Sequence, residues 1–357
     1  MRGVPGDLAG ADELTDAARV SASSRKARVA VVGGGSWGTT VASLTARNVP
    51  TTLWTRRSEI AEEIERDHVN SAYLAGETLD PELHATSSLE EAVSQADVLV
   101  MAVPSHGFRV VLERAAAHVR PWIPIVSLTK GLEPDTHSRM TQVIEEVLPG
   151  HPAGVLAGPN LAKEVLGGYA AAAVIAMPDA HVATALQEIF RRTLFRVYAS
   201  TDVCGVEVAG ALKNVFAISA GMAAGLGTGD NTRALVIARS LAEMTRLGVA
   251  MGGERHTFAG LAGMGDLLAT CISPLSRNRH VGEELARGRT LAEIIDEMSM
   301  VAEGVKTSRA VMELSRRHRV EMPIAHEVYR VVNEGRPAEE AFRGLFRTRP
   351  TTELAAN

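Results

Sequence analysis

The sequence has little cysteine, no excess of positive charge and no long uninterrupted hydrophobic run. Its 357 residues include two cysteines, Cys204 and Cys271, far apart in the chain. That usage argues against a disulfide framework and suits a reducing compartment, so a cytoplasmic location is expected. No cysteine–histidine cluster has the spacing of zinc ligands, and no metal is expected. Lysine and arginine number 37 against 42 acidic residues, a formal charge of −5 with both signs interspersed. Such a balance presents no basic patch to nucleic acid or to an anionic membrane. The longest apolar run, Tyr169 to Met177, falls well short of the ~20 residues that span a bilayer, so no stable membrane insertion is expected.

What is present is length and apolar content. A chain this long exceeds one ordinary domain, and 46% hydrophobic residues are enough to fill two cores. Residues 1–26 are rich in Ala, Gly, Ser and charge. Asp7, Asp12, Glu13 and Asp16 interrupt any signal-peptide core, and the segment reads as a disordered leader.

The most informative stretch runs from Arg28 to Thr40. A short apolar run, Val29 to Val32, reads as a buried strand, and a helical pattern begins near Val41. Between them lies G-x-G-x-x-G at Gly33, Gly35 and Gly38. In a dinucleotide site each glycine has a physical task. Gly33 permits the turn off the strand, Gly35 lets a diphosphate approach the backbone, and Gly38 lets the helix pack close to the sheet. The anion then rests on the helix N-terminus, where free N–H groups and the dipole favour it. A second strand, Thr51 to Thr55, follows and ends at Arg56 and Arg57. An NAD site carries an acidic residue near that point for the ribose 2′-hydroxyl. Here arginine stands there, Arg56 lying 18 positions past Gly38, and the pair either meets a 2′-phosphate, which favours NADP over NAD, or consists of solvated loop charges beside Glu59.

Further strands are expected at Asp97 to Val103, Ile123 to Leu128, from Gly154, Ala170 to Met177 and Phe195 to Ala199, with a helix over Ala180 to Arg192. This alternation points to a doubly wound α/β sheet through about residue 200. Lys130 falls just past the strand Ile123 to Leu128, where it faces the crevice or is a solvated loop charge. Asn160 reads as a helix N-cap.

After Asp202 helical patterns take over. One long helix, Val203 to Ala224, holds Lys213 among Val206, Leu212, Val215 and Phe216. That lysine either snorkels to the surface or is held at a cleft. A helix capped by Asp230 or Asn231 follows. Asp266 sits in an apolar, glycine-rich run and either caps a helix or pairs with a lysine. Ser276 caps a helix whose first turn carries Arg277 and Arg279 around Asn278. Basic residues there oppose the helix dipole, and a bound anion would reverse the sign of that effect. Glu303 precedes a helix over Lys306 to His318.

Taken together, these residues resemble the bacterial NAD(P)-dependent glycerol-3-phosphate dehydrogenase family, from about Arg28 to Leu345. The resemblance rests on G-G-G-S-W-G at Gly33, V-P-S at Val103, T-K-G at Thr129, A-G-P-N at Ala157, G-A-L-K-N at Gly210, G-M-G-D-L at Gly263, S-R-N-R at Ser276 and V-A-E-G at Val301. It implies a Rossmann-like doubly wound sheet over residues 27–202, an all-α domain similar to the C-terminal domain of 6-phosphogluconate dehydrogenase over 203–346, and a tail over 347–357. It also implies a homodimer and interconversion of dihydroxyacetone phosphate and sn-glycerol 3-phosphate for phospholipid synthesis. Carried over by motif, Lys213 is the general acid and base. Ser36, Trp37, Arg56, Arg57, Lys130, Ala162, Arg277, Val301 and Glu303 join the three glycines at the cofactor, NADPH in preference to NADH. Lys130, Gly158, Asn160, Lys213, Asp266, Ser276, Arg277 and Asn278 line the substrate pocket. Asn160 departs from the serine or threonine usual in the family, though an amide also hydrogen-bonds a substrate.

The arginine pair generates the first prediction. Replacing Arg56 and Arg57 together by alanine weakens NADPH binding by roughly 10- to 100-fold, the worth of charge-assisted hydrogen bonds, and NADH binding far less. Titration with the two nucleotides measures this, and an equal loss for both removes the 2′-phosphate argument.

Overall fold

A computed structural model of the chain describes residues 26–298 and 302–345. The leader and tail expectations and Val301 lie outside the described residues, except for Lys26. The N-terminal part is built on an eight-stranded sheet. Its strands are β1 (Val29–Val32), β2 (Thr51–Trp54), β3 (Leu83–Thr86), β4 (Val98–Met101), β5 (Ile125–Ser127), β6 (Ala153–Ala157), β7 (Ala171–Ala176) and β8 (Phe195–Ser200). Their order is β3-β2-β1-β4-β5-β6-β7-β8. Pairing is parallel except between β6 and β7. In register, Val32 lies between Trp54 and Met101, so β1, β2 and β4 end level with one another. The chain reverses direction across the sheet at β1, and a crevice opens between β1 and β4 at their carboxyl ends.

Both faces of this sheet are covered. Val29, Val31, Leu53, Val98 and Val100 face one core. Their neighbours Ala30, Val32, Leu99 and Met101 face another, with Phe108 and Leu112. This explains the unbroken valine runs, since a strand buried on both sides shows no polar alternation. Strand β3 escapes a reading by apolar runs because Leu83 alone of its four residues is buried.

The C-terminal part is helical and packs around one central helix, Val203–Gly225. Asp202 starts it: Oδ1 accepts from Gly205 N at 2.7 Å. Its Oδ2 accepts from Glu254 N and Thr257 Oγ1 at 2.9 and 2.6 Å, tying the helix start to the short helix Arg255–Ala259 and its N-cap Glu254. Every residue from Gly205 to Ala223 is buried. The central helix is long and apolar enough to cross a membrane, but 89% of its most apolar window is buried inside this domain. Against it lie Arg277–Ala286, Glu303–His318 and Pro323–Glu334. The first of these crosses very closely. A Cβ on Gly221 would stand 2.0 Å from Arg279 O, and one on Gly282 would stand 2.0 Å from Ile218 O. Small residues therefore set the distance at which Ser276 to Asn278 meet the central helix.

Three helix starts differ from expectation. Leu161 rather than Asn160 is the N-cap of Ala162–Leu166, because Asn160 still belongs to the turn after β6. Gly229 rather than Asp230 or Asn231 precedes Asp230–Ala250, with no side-chain cap. The helix expected from Lys306 begins at Glu303, since Gly304 is tolerated in a first turn packed against Asn214.

Glu243, 2% exposed, caps the helix Pro323–Glu334 from a distance. Its carboxylate accepts from Ile324 N at 2.8 Å and Ala325 N at 3.2 Å. Burial outweighs those bonds and pushes its pKa up to about 7. A carboxyl with a raised folded-state pKa adds stability below its unfolded pKa and loses it as pH rises through the folded one. The native chain therefore loses about 3 kcal/mol through this group between roughly pH 4.5 and 7. Glu243→Gln lacks that slope. Denaturant unfolding across this range compares the two, and parallel profiles overturn the assignment.

Candidate active site

The glycine turn occupies the carboxyl end of β1. Gly33 has φ +129°, and a Cβ there would lie 2.5 Å from Ala102 O. A Cβ on Gly38 would lie 2.0 Å from Gly33 O and 2.8 Å from the Ala102 Cβ, so strand and helix touch there. At Gly35, by contrast, a Cβ would meet no heavy atom within 4 Å. Gly33 and Gly38 close the turn, while the space beside Gly35 is open to a ligand. Gly35 is the N-cap of the helix Ser36–Ala46 and supplies no side-chain cap. The first N–H groups of that helix are thus available to an anion.

Other candidate cofactor residues surround this turn. Trp37 meets Phe195 edge-on at 6.1 Å, and its buried Nε1 has no hydrogen-bond partner. Arg56 and Arg57 follow β2 and are exposed. The Arg57 guanidinium lies 5.4 Å from the centre of the Tyr73 ring. Ser36 Oγ donates to Tyr73 O at 3.1 Å. Ala162 packs against the same core cluster as Trp37. An open diphosphate cradle, an unpartnered buried donor and exposed cations past β2 fit a dinucleotide.

The second half of the site is an ion cluster. Lys213 is 6% exposed, and its Nζ donates to Asp266 Oδ1 and Thr270 Oγ1, both at 2.6 Å. Lys130, from the loop after β5, donates to the other oxygen, Asp266 Oδ2, at 2.7 Å and to Gly158 O at 2.7 Å. One carboxylate thus holds two ammonium groups, one from each domain. The cluster carries an excess positive charge in a largely buried place, which suits an anionic ligand. Burial pushes the Lys130 pKa down to about 8; Asp266 opposes the shift and Lys213 adds to it.

Local sequence explains how Asp266 arrives there. Gly260, Gly263 and Gly265 shape a π-helical turn, Leu261–Gly265, directly before the helix Asp266–Ile272. A Cβ on Gly263 would lie 2.1 Å from Phe258 O. Such turns widen a helix locally and re-aim the next residues along it. Thr270, one turn past Asp266, then reaches the same ammonium.

A chain of amides ties the two domains together beside this cluster. Asn214 Nδ2 donates to Lys130 O at 3.0 Å. Asn278 Nδ2 donates to Asn214 Oδ1 at 3.0 Å, and Asn278 Oδ1 accepts from Gly304 N at 2.9 Å. Ser276 caps its helix, Oγ accepting from Arg279 N at 3.3 Å. Arg277 loses hydration, which lowers its pKa, while the charge of Glu303 opposes that change. Glu303 Oε2 accepts from Ser105 Oγ at 3.1 Å, a link from the helical part to the helix after β4. The Asn160 amide, oriented to satisfy its neighbours, donates to Ala172 O and Pro159 O at 3.3 and 3.2 Å.

The structure therefore gathers Lys130, Gly158, Lys213 and Asp266 directly, and Arg277, Asn278 and Glu303 beside them. Asn214, Thr270 and Ser105 were not singled out from sequence. Asn214 adjoins Lys213, and Thr270 stands four residues past Asp266, a helical neighbour spacing that could have marked it. Ser105 is joined to Glu303 across 198 residues, and nothing local announces it.

Fold and site together define a class: a dinucleotide-dependent dehydrogenase with a Rossmann sheet, a helical second domain and a lysine-bearing cleft between them. Comparison with known proteins narrows this. The family model for the N-terminus of NAD-dependent glycerol-3-phosphate dehydrogenase matches residues 28–183, and the model for its C-terminus matches 202–343. A glycerol-3-phosphate dehydrogenase (NAD(P)+) of Sphingopyxis alaskensis is 59% identical over 321 residues, covering 90% of this chain and 96% of the relative. One from Mycobacterium bovis is 58% identical over 336 residues, covering 94% and 98%. The crystal structure of glycerol-3-phosphate dehydrogenase from Coxiella burnetii superposes with a TM-score of 0.86 at 33% identity, covering 90% of this chain and 99% of that one. The chain belongs to the NAD-dependent glycerol-3-phosphate dehydrogenase family.

The ion cluster yields a prediction independent of turnover. The chain has five lysines, few enough to follow singly by NMR of labelled side chains. Lys130 titrates near pH 8, well below the exposed value of about 10.4. Asp266→Asn removes a charge that raises this pKa, so the transition moves lower still. A native chain in which every lysine titrates with the exposed ones contradicts the geometry.

Proposed function

We propose that Lys213 is the general acid and base in the reversible reduction of dihydroxyacetone phosphate to sn-glycerol 3-phosphate by this chain. The chain is an NAD(P)+-dependent oxidoreductase of the glycerol-3-phosphate dehydrogenase type. The observation that carries the residue assignment is the single carboxylate of Asp266 bridging Lys213 and Lys130 at the domain boundary.

The glycine turn and the start of the helix Ser36–Ala46 would hold the dinucleotide, whose reduced nicotinamide would supply the hydride. Lys213, as the ammonium, gives a proton to the carbonyl oxygen and is left neutral until solvent restores it. In the oxidation direction the neutral amine takes the hydroxyl proton back. Asp266 holds the ammonium in place, and Thr270 fixes it from a second side. Lys130 keeps a positive charge near the oxygen as negative charge develops there. Its short bonds to Gly158 O and Asp266 cost no reorganisation during the reaction.

The substrate phosphate rests against Arg277 and the helix start at Ser276, where the guanidinium and backbone N–H groups act together. Asn278 has one N–H left for the substrate after its bonds to Asn214 and Gly304. The excess positive charge of the lysine pair complements the dianionic substrate. Arg56 and Arg57 support a preference for NADPH, with Tyr73 steadying Arg57. The sequence resemblance and the low cysteine content support action in the cytoplasm, as a homodimer that feeds glycerophospholipid synthesis.

Lys213→Ala tests the central assignment. Turnover falls by about 10²- to 10⁴-fold, the usual worth of a positioned acid–base group, while NADPH affinity stays near native. Consumption of NADPH with dihydroxyacetone phosphate measures the first, and nucleotide titration the second. Near-native turnover in this variant would sink the assignment.

A further inference from the structure

A second segment reaches the glycine turn from behind. Between the helix Ser58–Asp67 and the short helix Ser71–Leu74 the chain passes Asn70, which is 0% exposed. Its Nδ2 donates to Gly34 O at 3.0 Å and to Thr39 Oγ1 at 2.9 Å. One amide thus grips both the middle of the turn and the first part of the helix beyond it. Its Oδ1 is buried with no donor. A polar residue is kept here in spite of that unpaired atom, so the bonds made by Nδ2 are what the position requires. The Asn70 carbonyl also accepts from Tyr73 N and Leu74 N at 3.2 and 2.8 Å. That places Tyr73, which accepts from Ser36 and lies beneath Arg57.

Peptide geometry carries this grip across the turn. The unit joining Gly34 to Gly35 is planar and trans, so its C=O and N–H point in opposite directions. Asn70 holds the C=O on one side. The Gly35 N–H is therefore turned to the other, away from Asn70. Glycine at both 34 and 35 leaves this unit freer to rotate than any other pairing would. A wrong rotation would aim a carbonyl oxygen, not an N–H, at an incoming anion.

We propose that Asn70 is a positioning residue that sets the Gly34–Gly35 peptide so that the Gly35 N–H faces the diphosphate of the bound dinucleotide. This rests on the reading of the glycine turn as the diphosphate cradle. Asn70 touches neither substrate nor lysine cluster, so its effect falls on nucleotide binding. NADH and NADPH share the diphosphate and are affected alike, unlike the outcome at Arg56 and Arg57.

Two variants test it. Asn70→Leu is similar in size and removes the donor together with the unpaired oxygen. It raises the Kd of NADH and of NADPH about tenfold, with kcat at saturating nucleotide and KM for dihydroxyacetone phosphate unchanged. Asn70→Asp places a carboxylate opposite Gly34 O and weakens both nucleotides more at pH 8. As pH falls toward 5 the buried acid takes up a proton, becomes a donor to Gly34 O, and recovers affinity relative to the native chain. The leucine variant shows no such recovery. A folded Asn70→Leu chain with native Kd for both nucleotides overturns the proposal. If that variant does not fold, an Asn70→Asp chain whose relative affinity is flat from pH 8 to 5 overturns it. A native chain that binds neither nucleotide removes the cradle reading itself, and with it this proposal.

Discussion

The carboxylate of Asp266, held between the ammonium groups of Lys213 and Lys130, is the interaction on which the rest of this structure converges. Lys213 comes from the central helix of the helical domain, and Lys130 from a loop at the top of the Rossmann sheet. Neither could be kept charged in so dry a place without a counter-charge. Removing the carboxylate would leave two like charges facing each other, which is a far larger penalty than losing a surface ion pair. The pairing therefore does two things at once. It joins the domains at their boundary, and it gives each of two buried ammonium groups a counter-charge.

Much of the surrounding architecture serves to deliver these three side chains. A central helix built of small residues lets the helix after Ser276 approach within backbone contact, at Gly221 and Gly282. A π-helical turn made possible by glycines sets the direction of Asp266. The amide chain from Lys130 O through Asn214 and Asn278 to Gly304 locks the same neighbourhood from the side. At the carboxyl end of β1 the glycine turn separates two roles: Gly33 and Gly38 allow backbone contact, while Gly35 leaves room. The site is thus a meeting of a pre-shaped anion cradle and a positively biased acid–base cluster, an arrangement that suits a reaction with an anionic substrate and a dinucleotide.

Elements with a strong local pattern were legible from the chain alone. Strands β1, β4 and β6 are apolar runs bounded by turn residues, and the central helix is long and almost uniformly apolar. Strand β3 was not legible, since a half-exposed four-residue edge strand carries no pattern of its own. Helix starts moved by up to three residues where packing outweighed cap chemistry, as at Glu303. Lys213 and Asp266 could be marked as out of place in apolar surroundings, and Asp266 as wanting a lysine. Which lysine could not be read, and the structure supplies two.

The sequence by itself determined the local chemistry: a glycine spacing that permits a turn against a helix, arginines past the second strand, and ionisable residues stranded in apolar helices. These are properties of a few neighbouring residues, and short-range sterics and hydration suffice to read them. Only the tertiary structure decided that Lys130 and Lys213 share one carboxylate, that Ser105 meets Glu303, and that Asn70 grips the glycine turn. Such contacts join residues tens to hundreds of positions apart. They depend on how strands order across a sheet and how closely helices cross, and the pattern of any single segment does not encode either.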